Sequence, residues 1–224
     1  MFRAILWLVL CLVPLSAAAA PPRPILVLGD SLSAAHGIAP ADGWVALLER
    51  RLRDAPAPQP VVNASISGET TAGGLARLPA LLAEHRPALV VIELGANDGL
   101  RGLPLAEARA NLARMLEAVR AAGARAVLVG IELPLNYGPR YRDGLRSLYR
   151  DLAGEFNVPL VPFLLEGVAL DPALMQDDGL HPNAAAQPKL LDNVWKVLQP
   201  LLAAPAPRPR PAARAPAAQP DGWA

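Results

Sequence analysis

The sequence predicts an α/β protein, a three-layer α/β/α sandwich built around a five-stranded parallel sheet. Five short aliphatic runs alternate with longer segments of helical period, the pattern of repeated βα units. The runs are apolar without strict alternation, as expected of strands buried on both faces. At 224 residues, 53% of them apolar, the chain is long enough for one such core with short appendages.

In chain order the predicted strands are residues 24–29, 60–66, 88–94, 126–131 and 158–163, and the predicted helices are 44–53, 71–85, 105–122, 140–155 and 184–202. The third helix shows the reasoning most clearly. Leu105, Ala108, Leu112, Met115, Leu116 and Val119 recur at spacings of three and four and make one apolar face, while Glu107, Arg109, Arg114 and Arg120 fall elsewhere. Five strands with right-handed crossover helices suggest the strand order 2-1-3-4-5 of flavodoxin-like sheets.

The ends read differently from this body, which spans residues 21–203. Arg3 precedes an apolar run over 4–15 and a small-residue stretch over 16–20, so residues 1–20 have the form of an export signal, and the expected location is the periplasm or the medium. The run is too short for a stable membrane anchor. A lipoprotein cut at Cys11 is the alternative, against which stands bulky Leu10 where such sites need a small residue. Cys11 is the single cysteine, so the exported chain would have no thiol for catalysis or metal binding and no disulfide. Residues 204–224, rich in proline and alanine and without apolar period, are expected to be a disordered tail.

Setting aside Arg3 in the leader and Arg208, Arg210, Arg214 and Asp221 in the tail, the body carries a net charge of −2 and no basic stripe. That argues against nucleic acid as a partner and suits small neutral or apolar substrates.

Four polar or glycine-rich segments fall just after predicted strands: G-D-S-L at 29–32, S-G-E-T at 67–70, G-A-N-D at 95–98 and D-D-G-L-H-P-N at 177–183. In open parallel sheets, ligands bind beyond the carboxyl ends of the strands, so these segments should converge. Ser31 alone would be read as a helix cap. A serine nucleophile needs a base, and the chain offers three histidines. His85 ends a surface helix and His36 could line a pocket. Only His181 has a carboxylate three residues earlier, Asp178, able to hold the imidazole in the accepting tautomer. Asp177 would instead tie the loop to backbone N–H groups. An Asp/His metal pair is the rival reading, with no third ligand nearby to support it. Gly68, Asn97 and the Ser31 N–H are candidate donors to an oxyanion.

These segments, together with I-L-V-L-G-D-S-L-S-A, G-A-N-D-G-L-R-G, L-P-L-N-Y-G-P-R-Y and M-Q-D-D-G-L-H-P-N-A-A-A-Q-P, resemble the SGNH (GDSL) hydrolases over about residues 24–202. Within that family the likeness runs to a periplasmic bacterial branch of multifunctional acyl-CoA thioesterases, arylesterases and lysophospholipases. The resemblance implies Ser31 as nucleophile, Asp178 and His181 as the acid–base pair, and Ser31 N–H, Gly68 and Asn97 as the oxyanion hole. It further implies a mobile loop over 97–102, and Leu100, Leu133 and Pro134 as walls of an acyl groove. No cofactor or metal is implied. The expected partners are small acyl esters or thioesters acted on by a monomer without a membrane anchor. Alternatives are an O-acetyl esterase of sugars or cell wall on the same scaffold, and a catalytically silent binding domain. The α/β-hydrolase elbow G-x-S-x-G is rejected, because Ser33 stands at its second glycine.

Overall fold

The computed structural model describes residues 22–55 and 57–203. The predicted leader and tail both lie outside these residues. The strands are β1 (Ile25–Gly29), β2 (Val61–Asn63), β3 (Leu89–Glu93), β4 (Arg125–Val129) and β5 (Leu160–Val161). They form one parallel sheet in the order β2-β1-β3-β4-β5. The helices are α1 (Trp44–Arg53), α2 (Thr71–His85), α3 (Ala96–Leu100), α4 (Leu105–Ala121), α5 (Pro139–Phe156) and α6 (Gln187–Ala203).

Every residue of β1 and β3 is buried, which explains why both are apolar apart from Glu93 at the end of β3: a central strand covered on both faces has no position for a solvated side chain. α1 and α6 pack together on one face, while α2, α4 and α5 pack in series on the other. α4 carries the apolar stripe toward the sheet, with Ala108, Leu112, Met115, Leu116 and Val119 buried. β2 and β5 are shorter than the runs that predicted them. β2 lies at one edge of the sheet and its regular pairing ends at Asn63, whose side chain donates to Ser33 O and accepts the Ser65 N–H, while Ala64 and Ile66 still donate to Val27 O and Gly29 O.

Helix ends follow local chemistry. Thr70 caps α2 by accepting the Gly73 N–H. Arg86 stops the helix in a left-handed conformation (φ 44°), and Pro87 follows it. α6 begins later than its apolar pattern, because residues 184–186 form a separate 3₁₀ turn capped by Asn183. The short helix α3, over residues read as loop, was not anticipated. Its A-N-D-G-L composition carries no periodic face and is helical because tertiary contacts hold it.

The topology places the functional loops. The chain leaves β1 for β2 on one side and returns to β3 on the other, so the crevice where strand order reverses is bounded by the segments after β1, β2 and β3. Truncating Leu112 to Ala in the centre of α4 should cost about 2–5 kcal/mol in denaturant unfolding, because its side chain is wholly buried against the sheet.

Candidate active site

Gly29 ends β1 and pairs in register with Glu93 at the end of β3. A Cβ at Gly29 would lie 2.7 Å from both Glu93 Oε2 and Ser33 Oγ, so only glycine admits this approach. The next residue, Asp30, is fully buried, and its Oδ1 accepts the Leu32 N–H at 3.0 Å. That turn delivers Ser31 to the mouth of the crevice, half-buried.

His181 arrives on the long segment between β5 and α6, whose course near the crevice is fixed by polar side chains. Gln176 donates its backbone N–H to His181 O at 2.8 Å and its side-chain amide to His36 O and Pro182 O at 2.8 and 3.0 Å. Gln187 Oε1 accepts the Trp44 N–H at 3.0 Å, and its amide donates to Asn183 O, tying this loop to the start of α1. Asp178 Oδ1 accepts the N–H groups of Leu180 and His181 at 2.9 and 3.0 Å. Its Oδ2 stands 2.6 Å from His181 Nδ1, and His181 Nε2 stands 2.9 Å from Ser31 Oγ. Partial burial pushes the Asp178 carboxyl up, but the imidazole and the two backbone donors outweigh this and hold it at about 2. An ionised Asp178 fixes the hydrogen on Nδ1, leaving Nε2 free to accept from the serine.

Gly68 has φ +82°, a conformation in which a side chain is strained. Neither its N–H nor that of Ser31 donates to a protein group among the described residues. Arg101 donates to Gly68 O at 2.9 Å. Asn97 Nδ2 donates to Asp30 Oδ2 at 3.1 Å and to Glu69 O at 2.9 Å. Asp98 turns inward and binds the Thr71 N–H and hydroxyl at 2.8 and 2.6 Å, locking α3 to the start of α2. Thus Ser31, Gly68, Asn97, Asp178 and His181 surround one crevice. Leu133 is buried, with its methyl groups packed beneath Gly99, while Leu100 and Pro134 are half-buried.

Sequence reasoning passed over Asp30, Glu93, Asp98, Gln176 and Gln187. Glu93 carried a usable signal, an acid inside an otherwise aliphatic strand. The glutamines carried none, because a glutamine in a loop looks the same whether or not it clamps two segments. Asp177 differs from expectation. It is exposed and makes no hydrogen bond among the described residues, since Asp178 itself takes the backbone donors through its second oxygen. His36 does reach the site, with its ring 4.5 Å from that of His181 and its Nδ1 3.5 Å from Ser67 Oγ.

Residues 27–187 match the model of the GDSL-like lipase/acylhydrolase family. The chain belongs to that family. It is 57% identical over 183 residues to Esterase TesA of Pseudomonas aeruginosa, a match covering 82% of this chain and 91% of the relative. It is 49% identical over 193 residues to Thioesterase 1/protease 1/lysophospholipase L1 of Escherichia coli, covering 86% and 91%. A crystal structure of TesA superposes with a TM-score of 0.78 at 58% identity, covering 80% of this chain and 99% of that one. This chain is accordingly an ester-hydrolysing enzyme of the GDSL type.

The two adjacent acids of this GDSL enzyme separate experimentally. Asp178→Asn should lower kcat by up to about 10⁴-fold, because an amide donor opposite Nδ1 favours the wrong imidazole tautomer. Asp177→Asn should leave kcat within about threefold of the parent, as expected of a solvated side chain that bonds to nothing. Assays at saturating substrate, with thermal melts confirming equal folding, decide it. A larger loss in the Asp177 variant would reverse the assignment.

Proposed function

We propose that the enzyme cleaves carboxylic esters and thioesters of acyl chains through an acyl-enzyme on Ser31. One observation carries the reading: the unbroken relay from Asp178 Oδ2 to His181 Nδ1 and from Nε2 to Ser31 Oγ, at 2.6 and 2.9 Å, beside two uncommitted backbone N–H groups. In the first half-reaction His181 Nε2 takes the hydroxyl proton as Oγ bonds to the carbonyl carbon. The imidazolium, stabilised by ionised Asp178, then returns that proton to the alcohol or thiol as its bond to the acyl carbon breaks. Water repeats the sequence on the acyl-serine and releases the acid.

The charge that develops on the carbonyl oxygen is received by the N–H groups of Ser31 and Gly68 and by Asn97. Both hydrogens of the Asn97 amide are committed in the free enzyme, one to Asp30 and one to the Glu69 carbonyl. An oxyanion is a stronger acceptor than a neutral carbonyl, so it competes for the second hydrogen as charge appears, which favours the transition state over the ground state.

An apolar surround supports acyl chains as substrates. Among the exposed large aliphatic side chains, Ile66 stands two residues before Gly68 and Leu180 directly before His181. The names of the relatives, esterase and thioesterase/lysophospholipase, point the same way. The export leader read in residues 1–20 supports action outside the cytoplasm, and among the described residues no helix is long and apolar enough to cross a membrane.

A hydrolysis series on p-nitrophenyl esters, acyl-CoAs and lysophospholipids, run beside acetylated sugars, tests the substrate class. Turnover confined to the acetylated sugars would overturn it. Ser31→Ala should remove nearly all activity and abolish labelling by a fluorophosphonate while leaving the melting temperature unchanged within a few degrees. Labelling at another residue would sink the nucleophile assignment. Asn97→Ala should lower kcat about 10²–10³-fold with little change in KM, and an unchanged kcat would remove it from the oxyanion hole.

A further inference from the structure

Behind the nucleophile lies a second pair of acids that the hydrolytic steps do not use. Asp30 and Glu93 are both fully buried, and neither pairs with a lysine or arginine among the described residues. Glu93 Oε2 accepts the Ser33 hydroxyl at 2.7 Å and the Asp30 N–H at 3.3 Å, but its Oε1 is buried with no donor aimed at it. Asp30 has both oxygens occupied, Oδ1 by the Leu32 N–H and Oδ2 by the Asn97 amide. A buried carboxylate oxygen without a donor is costly, whereas the same atom carrying a hydrogen becomes a donor to a neighbouring carboxylate.

We propose that Glu93 and Asp30 share a single proton carried on Glu93 Oε1, and that the Asp30 carboxylate so held is the positioning residue that aims Asn97 into the oxyanion hole. The proton removes the like-charge repulsion of two buried carboxylates and supplies the bond that the orphaned oxygen lacks. Asp30 keeps its charge and accepts one Asn97 hydrogen, which fixes the amide so that the other, bonded to Glu69 O in the free enzyme, is the one an oxyanion competes for. Burial and the neighbouring Asp30 charge push the Glu93 carboxyl well up, while Asp30 rises to about 6 through burial, offset in part by the Leu32 N–H and by His181. The other groups facing the pair are the Tyr149 hydroxyl from α5, donating to Leu94 O at 2.8 Å, and Asp98 of α3.

The proposal rests on Asn97 being an oxyanion donor, and its test has parts that do not. In the infrared spectrum of the full-length wild type at neutral pH, a carboxylic-acid C=O band should be present and should vanish in Glu93→Gln. Loss of no such band would overturn the shared proton, whatever the activity. Glu93→Gln supplies an amide N–H where the acid O–H stood, so its kcat should stay within about threefold of wild type, whereas Glu93→Leu should lose much more. Equal losses in the two would overturn it.

The sign of the stability effect follows from the raised carboxyl. Native Glu93 holds its proton where the unfolded chain has lost it, so wild type loses stability relative to Glu93→Gln as pH rises from about 4 to 8. The melting-temperature difference should widen in favour of the variant, and a difference narrowing over that range would contradict the proposal.

The positioning role is read from a double-mutant cycle. Asp30→Asn should lower kcat about 10²-fold with KM nearly unchanged, as for loss of one oxyanion donor, and should cost little more in an Asn97→Ala background. Fully additive losses, or an Asp30→Asn enzyme with wild-type kcat, would show that Asp30 does not act through Asn97. Fluorophosphonate labelling of Ser31 in every variant separates failure of this proposal from failure of the nucleophile assignment.

Discussion

The hydrogen bond between Ser31 Oγ and His181 Nε2 joins residues 150 apart in sequence, and the rest of the fold serves to keep its two ends still. One end stands on the buried centre of the sheet. β1 and β3 are wholly apolar up to Gly29 and Ile92, so the turn that carries Ser31 starts from strands buried along their whole length. The other end stands on the segment between β5 and α6, which Leu164, Leu165 and Val168 anchor in the core but whose stretch around His181 is held mainly by polar contacts. There Gln176, Gln187, Asn183 and Asp178 provide the rigidity through hydrogen bonds to backbone groups. The site is therefore half packing and half polar scaffold.

That division explains what could be read from the sequence. The sheet order was legible, and helices α1, α2, α4 and α5 within one residue, because burial imposes a pattern on the side chains: continuous apolar runs for two-sided strands, three- and four-residue spacings for one-sided helices. Ser31, Gly68, Asn97, Asp178 and His181 could be singled out because each kind of chemistry restricts the residue that can perform it, and the four segments that carry them follow β1, β2, β3 and β5. Asp178 and His181 were further marked by a spacing that lets one carboxylate cap the loop backbone and the ring together.

The remaining parts were illegible for a physical reason. A hydrogen bond from Gln176 to His36 O couples segments 140 residues apart and leaves no periodicity on either. α3 is helical although its composition has no helical face, since Asp98 pins its first turn to Thr71 and Tyr137 donates to Leu100 O at its end. Leu133 was placed in the acyl groove by resemblance, yet it fills the space beneath Gly99, where it supports α3 from below. A residue can shape a groove without lining it.

Burying two acids beside Ser31 is unfavourable, and that bears on what the pair does for Asn97. Asn97 has no capping partner within its own helix, so its amide would rotate freely if solvent alone solvated it. Two fixed acceptors, one charged and one neutral, hold it. The unequal pair matters: the bond to ionised Asp30 is the stronger and endures, while the bond to Glu69 O is the weaker and can be exchanged for an oxyanion. A neutral residue in place of Asp30 would make the two acceptors equivalent and leave the amide free to surrender either hydrogen. The proton on Glu93 is then what lets a lone negative charge exist at that depth without a cation to balance it, so that the fold spends no arginine next to the oxygen it must stabilise.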